Sequence, residues 1–542
     1  MEKKKWWQKA VFYQIYPRSF ADSTNNGIGD LQGIIGKLDY LHDLGIDAIW
    51  FSPFFPSPQK DYGYDITDYG AIDPEYGTMS DFEELLEQAH SLEIKVILDM
   101  VLNHTSDQHP WFLESRSSSS NAKRDWYVWR KGRGKNGRKP PNNWKAIIGG
   151  SVWEGDKTTE EYYLHQFLPC QPDLNWWNPK VQEAMFSYLK FWLDKGVDGF
   201  RLDIIHTLFE DKEFHDNPRS WRLLPSNDSE AYLFQDPMHT SYLKETLEMC
   251  THIRNLVDSY SPDRMLIGEA MGGPRLFRPL YGEYNDGLNL VFNFKFSDQS
   301  FSAKNFSQVI QETESILPNP YWPCYVFSNH DKSRMISRYG NDQKKAKLLT
   351  FLLLTLRGTP FIYYGEEIGM TQVKVPKESL KDPLSQLRVW KIPIGRFFGR
   401  DGCRTPMQWN NSAKNAGFSS DPSIKPWLPV AENSSLVNVD NQINDEKSML
   451  TFFKRIIQVR KVTKALTEGT LHLLPIDDCL VFERRIAEEK VLSVLNFSKK
   501  QIQIQNPLPL STALFSTDAL NISYKTDEYI TLQQYEGLLL KG

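Results

Sequence analysis

Eight short strand-like runs alternating with amphipathic helical segments predict an α/β fold in which parallel βα units close into a (β/α)8 (TIM) barrel. Two further observations complete the expected architecture. The stretch after the third run is too long and too rich in Gly, Asn, Ser and Trp to be a simple connection, so it reads as an inserted subdomain. The chain then ends in strand-like text with turn residues, which predicts a C-terminal antiparallel β domain. The expected division is a barrel over 1–104 and 175–466, an insertion over 105–174 and a β domain over 467–542.

Taken in order, the strand runs are 11–16, 47–52, 95–102, 199–205, 264–269, 288–294, 325–329 and 361–364, each dominated by β-branched, aromatic or other apolar residues. Helical periodicity fills 33–44, 81–92, 179–195, 241–260, 307–316 and 342–356 between them. A last helix over 448–465 completes the barrel. A second long excursion, 369–447, carries many prolines and the run Arg400-Asp401-Gly402-Cys403-Arg404-Thr405-Pro406. Beyond Thr470, strands are expected at 479–485, 490–495, 501–504 and 529–532.

Composition narrows the function classes. Of 542 residues, 40% are hydrophobic and 24% charged, which excludes a disordered or fibrous chain. A net charge of −5 argues against nucleic acid or an acidic membrane surface as partner. The longest apolar stretch, 348–356, is far below the ~18 residues of a membrane span. Residues 1–17 lack the apolar run of a secretory signal, and the five cysteines (170, 250, 324, 403, 479) show no metal-binding or disulfide spacing. A cytoplasmic protein, monomer or homodimer, with reduced thiols is expected. Aromatic residues reach 13%; flat rings serve as core or as sugar-stacking platforms, and composition does not choose between them.

The chemistry lies at the strand ends. In a barrel, catalytic groups sit at the C-terminal ends of the strands. Here the fourth run reads Gly199-Phe200-Arg201-Leu202-Asp203, the fifth ends Gly268-Glu269, and the seventh ends Ser328-Asn329-His330-Asp331. Asp203, Glu269 and Asp331 should therefore converge on one mouth. A carboxylic acid that protonates a leaving oxygen, paired with a carboxylate that attacks the anomeric carbon, is what glycosidic hydrolysis requires. Crowding like charges keeps one of them protonated near neutrality. Arg201, two residues before Asp203 and on the same strand face, would hold that carboxylate ionised.

These strand ends resemble the α-amylase family of glycoside hydrolases, specifically its α-glucosidase and oligo-1,6-glucosidase branch. The matching motifs are AVFYQIYPRSF (10–20), DYGYD (61–65), DMVLNH (99–104), QPDLNW (171–176), GFRLD (199–203), GE (268–269), SNHD (328–331) and RTPMQW (404–409). The resemblance implies that Asp203 is the nucleophile, Glu269 the general acid/base and Asp331 the third carboxylate, which grips the distorted sugar. It further implies that Arg201 pairs with the nucleophile, that His104 and His330 bind sugar hydroxyls, and that Tyr64 stacks on the ring. Asp61 and Arg404 are expected to pair and close the pocket around the non-reducing end, making the enzyme exo-acting on short oligosaccharides.

Linkage preference stays open between α-1,4 and α-1,6. In this family Val after the nucleophile resembles the α-1,6-cleaving members, and Thr or Ala the α-1,4-cleaving ones; here the residue is Ile204. The basic stretch Arg130, Lys131, Arg133, Lys135, Arg138 and Lys139 could recruit a phosphorylated sugar, as in trehalose-6-phosphate hydrolases of the branch. A solvated glycine-rich loop is the plainer reading, because it offers no fixed anion nest. A catalytically dead binding subunit is the remote alternative, disfavoured by retention of all three carboxylates. No cofactor is required for the chemistry. The loop Asp22, Thr24, Asn26, Ile28, Asp30 is similar to the family's calcium loop, but Thr24 and Asn26 depart from its acidic and amide ligands. The remaining two carboxylates suit a weak structural Ca2+ or Mg2+.

Overall fold

The structure is a computed structural model and describes residues 4–386, 399–412, 414–476, 479–519 and 528–542. The chain opens with strands β1 (Phe12–Ile15), β2 (Ala48–Phe51) and β3 (Lys95–Met100). An excursion follows that contains β4 (Trp129–Arg130), β5 (Trp153–Asp156) and β6 (Glu161–Leu164), paired antiparallel in the order β4-β6-β5. Strands β7 (Gly199–Leu202), β8 (Met265–Gly268), β9 (Leu290–Val291), β10 (Cys324–Val326) and β11 (Thr359–Tyr363) resume the parallel set.

These eight parallel strands form one sheet in the order β10-β11-β1-β2-β3-β7-β8-β9, and a parallel bridge between Phe292 and Cys324 joins its two ends. The expected barrel is therefore the observed one. Alternation along the strands separates two apolar layers. Phe12, Ala48, Trp50, Ile97, Ile267, Leu290 and Phe361 fill the barrel interior. Tyr13, Ile49, Val96, Leu98 and Leu266 face the surrounding helices. The same alternation aims the polar interior residues Gln14, Asp99 and Arg201 up the axis towards the mouth.

Most strands are shorter than the sequence suggests. β7 stops at Leu202 and β8 at Gly268, so Asp203 and Glu269 lie one residue past their ladders. The apolar text runs on because the strand-to-loop turns are themselves buried. The helix expected at 33–44 is broken into Leu31–Ile35 and Leu38–Leu44 by the turn at Gly36–Lys37. Helix Met79–Ser91 starts on a reciprocal cap between Thr78 and Asp81, and Met449–Val462 starts on Ser448, whose side chain accepts from Thr451 N.

At the C-terminus, β12 (Thr470–Leu474), β13 (Cys479–Ile486), β14 (Glu489–Asn496), β15 (Ile502–Gln505), β16 (Thr512–Ser516), β17 (Tyr529–Leu532) and β18 (Gly537–Lys541) follow. They build an antiparallel sheet in the order β12-β13-β14-β18-β16 and a two-stranded ribbon of β15 with β17.

Candidate active site

The residues singled out at the strand ends meet at one mouth of the barrel. A cavity of about 320 Å3 there is lined by Asp61, Tyr64, His104, Asp203, Ile204, Glu269, His330, Asp331 and Arg400. Its apolar wall comes from Ile147, Ile148, Phe167 and Leu168 of the excursion after β3, with Leu384 opposite.

Arg201 organises the floor. Its guanidinium is fully buried; Nη1 donates to Asp203 Oδ1 and to Asp99 Oδ1, each at 2.7 Å, and Nη2 donates to Glu269 Oε2. The two nitrogens of one guanidinium thus hold the Asp203 and Glu269 carboxyl groups side by side, the close arrangement that a retaining mechanism uses. One cation cannot neutralise three buried anions, so the cluster keeps a proton. Burial raises Glu269 to about 7 and Asp203 to about 6, with Arg201 opposing the rise in both. With that proton on Glu269, Asp203 is left ionised against the arginine. Asp99 is likewise raised by burial, to about 6, and is tied to the cluster by Trp50 Nε1 at 3.2 Å and the Tyr64 hydroxyl at 2.9 Å.

Asp331 sits in the opposite electrostatic environment. Burial alone would raise it, but His330, Arg400 and Arg404 together pull it well below the usual carboxylate range. Arg400 Nη1 reaches its Oδ1 at 3.0 Å, Arg404 Nη2 the same atom at 2.9 Å, and His330 Nε2 lies 3.0 Å from Oδ2. Gln14 Nε2, a donor, lies 2.8 Å from His330 Nδ1 and so fixes the proton on Nε2. Burial keeps both histidines neutral, lowering His330 and taking His104 to about 4. His104 Nδ1 lies 3.0 Å from Asn103 Oδ1, and its Nε2 lies 3.1 Å from Tyr64 O and 3.2 Å from Gln171 Nε2. Tyr64 lies parallel to His330, ring centres 5.2 Å apart.

The expected pairing of Asp61 with Arg404 is corrected by the geometry. Asp61 meets Arg400 instead, Nη2 to Oδ1 at 2.6 Å, and the same guanidinium is gripped from behind by Asp382 at 2.7 Å. Arg404 is committed elsewhere: its Nε donates to His330 O at 2.8 Å and its Nη2 to Asp331. The two arginines stand four residues apart in the same Arg-Asp-Gly-Cys-Arg run, on a short 3-10 turn over Asp401–Cys403, and only the first projects to Asp61. Gln14, Asp99, Asp382 and the apolar wall were also not assigned from sequence. Gln14, Asp99 and Gln171 lie inside the family motifs; the wall residues carry no motif at all.

Ile204 lines the pocket in the left-handed region (φ 37°, ψ 41°), a conformation that a β-branched side chain resists. It is held there by Ile205 N donating to Glu269 O at 3.1 Å and by Thr207 N and Oγ1 donating to Ile204 O at 3.1 and 2.9 Å.

In the loop similar to a calcium site, the carboxylates are spent internally. Asp22 accepts from Thr24 Oγ1, Asn26 N, Gly27 N and Ser419 Oγ, and Asp30 from Ser23 N, Ser23 Oγ, Thr24 N and Gly33 N. Asn26 Oδ1 accepts from Ile28 N at 2.8 Å. The basic stretch lies away from the pocket: Arg130 stacks on Phe214 at 3.8 Å and Arg133 pairs with Asp216 at 3.5 Å.

Comparisons with known proteins agree with this geometry. Residues 14–469 match the family model of the α-amylase catalytic domain. A probable alpha-glucosidase of Rhizobium meliloti is 41% identical over 96% of this chain and 95% of its own length. The oligo-1,6-glucosidase of Parageobacillus thermoglucosidasius is 40% identical over 98% and 96%. Among solved structures, the alpha-glucosyl transfer enzyme XgtA superposes with a TM-score of 0.91 at 38% identity, with both chains fully covered. The trehalulose synthase MutB superposes at 0.88 and 33%, covering 99% of this chain and all of its own. With its barrel, its strand-end carboxylates and these relatives, the chain belongs to the α-amylase family of glycoside hydrolases.

Proposed function

We propose that this protein is an exo-acting, retaining α-glucosidase that releases glucose from the non-reducing end of short malto- or isomalto-oligosaccharides. The observation that carries the reading is Arg201, which holds Asp203 and Glu269 side by side at the floor of the pocket. In the first step Asp203 attacks the anomeric carbon while Glu269 passes its proton to the leaving glycosidic oxygen. In the second, Glu269, now a carboxylate, takes a proton from water as that water displaces Asp203 from the sugar. Asp331, kept ionised by its two arginines, accepts hydrogen bonds from hydroxyls of the distorted ring. His104 and His330, both neutral, bind hydroxyls beside it, and Tyr64 offers an aromatic face.

Exo action is supported by the Asp61–Arg400–Asp382 chain, which fixes two charged residues of the pocket lining where they would cap a terminal sugar. Ile204 and the relatives named oligo-1,6-glucosidase support activity on α-1,6 links. Arg400 is the one cation lining the cavity among the described residues, and its charge is already taken by carboxylates. That favours neutral sugars over a phosphorylated disaccharide. The 22–30 loop closes on its own hydrogen bonds and does not fit a tightly bound cation, so no step is routed through a metal. Cysteines outside disulfides suit a cytoplasmic enzyme; monomer or homodimer is the assembly we propose for it.

The test is Asp203→Asn. It removes the nucleophile while Arg201 keeps Asp99 and Glu269, so the variant should fold and lose at least about 10^3-fold in kcat on p-nitrophenyl α-glucoside. A folded variant with unchanged kcat contradicts the assignment.

A further inference from the structure

Outside the catalytic pocket, three side chains with metal-binding atoms converge on the excursion that follows β7. Asp211, His215 and His239 bring one carboxylate oxygen and two imidazole nitrogens within 4.8 Å of one another. His215 Nδ1 lies 2.6 Å and His239 Nδ1 3.3 Å from the same atom, Asp211 Oδ2. The chain brings them together by two local devices. A tight turn, with Phe214 N donating to Asp211 O at 3.0 Å, folds His215 back over Asp211. The two ends of the excursion are then stitched by Asp211 N donating to His239 O at 2.9 Å.

We propose that Asp211, His215 and His239 form a binding site for a divalent transition-metal ion of the Zn2+ class. Two imidazoles and one carboxylate suit this class, whereas Ca2+ and Mg2+ prefer oxygen alone. Ligand atoms on a tetrahedral ion with bonds of ~2.0–2.1 Å stand about 3.3 Å apart, the separation already present between Asp211 and His239. The His215 contact is a hydrogen bond that must open by roughly 0.7 Å when the ion replaces its proton. His215 is 64% exposed, so the outward side is open to the water that completes the shell.

The site would brace the pocket wall and leave the chemistry alone. Phe214, inside the Asp211–His215 turn, packs against Trp144 and Trp153 at ring separations of 5.5 and 6.0 Å, and Trp144 Nε1 donates to His215 O at 2.8 Å. Those tryptophans belong to the same small core as Ile148, which lines the cavity. An ion at the turn therefore ties the excursion after β7 to the excursion after β3.

Isothermal titration of the chelator-stripped full chain with ZnCl2 tests the proposal. One Zn2+ per chain is expected, with a rise in melting temperature and visible d–d bands when Co2+ is used instead. Asp211→Ala and His215→Ala should each weaken binding by more than about tenfold, since loss of a direct ligand exceeds the loss of an outer-shell partner. Their metal-free glucosidase rates should stay at the wild-type value, which also shows that they fold. If either misfolds, His239→Ala takes its place under the same criterion. Absence of Zn2+ uptake, or uptake undiminished in the folded variants, overturns the site.

Discussion

Asp203 and Glu269 share one guanidinium yet need opposite protonation states, and this sets the pH dependence. Burial raises both, Asp203 to about 6 and Glu269 to about 7. Below the lower value Asp203 gains a proton and ceases to be a nucleophile; above the higher one Glu269 loses the proton it must donate. The profile of kcat/KM should be a narrow bell with limbs near these values, which belong to the coupled pair. A profile flat from about pH 5 to 8 would be incompatible with the pair's assignment. Ile204 makes a second residue-scale case. A β-branched side chain in the left-handed region costs about 1–2 kcal/mol, and the surrounding hydrogen bonds hold it against the pocket. Thr is also β-branched, so Ile204→Thr keeps the backbone constraint and changes only the wall. The ratio of isomaltose to maltose kcat/KM should fall roughly tenfold; an unmoved ratio removes Ile204 from linkage choice.

Among elements, the barrel strands were legible because buried parallel strands write themselves as near-continuous apolar runs. Their ends were less so, since the turns carrying Asp203 and Glu269 are as buried as the strands themselves. The break at Gly36 and strand β18, a plain Gly-Leu-Leu-Leu run, carry no period that distinguishes them from their neighbours. The tryptophans of the β4–β6 excursion could be located but not assigned. Trp144 and Trp153 prove to be core, while the pocket wall is aliphatic apart from Phe167. The 22–30 loop shows how a motif and its packing part company. Asp22 and Asp30 each accept four hydrogen bonds from within the protein, so a cation would have to displace donors already in place. Adding about 5 mM CaCl2 to chelator-stripped protein should move the melting temperature by less than about 1 °C, whereas a tight site would add several degrees.

At the scale of the whole molecule, the pocket is assembled from parts distant in sequence. Strand ends supply the carboxylates, the excursion after β3 supplies the apolar wall, and the excursion after β11 supplies Arg400 to the lining and Arg404 behind Asp331. Motifs revealed the first group because Asp203 and Glu269 follow their strands directly. Choosing between Arg400 and Arg404 required the fold, since both stand in one short turn and both reach Asp331, and only three-dimensional placement shows that Arg400 alone also meets Asp61. The design that results is one buried arginine that sets the spacing of two carboxyl groups, with a second bridging network closing the far end. That pairing makes a stereochemical commitment. Proton NMR of the first turnovers on p-nitrophenyl α-glucoside should show α-glucose appearing before mutarotation mixes the anomers. If β-glucose appears first, the account of Asp203 and Glu269 as a double-displacement pair is contradicted.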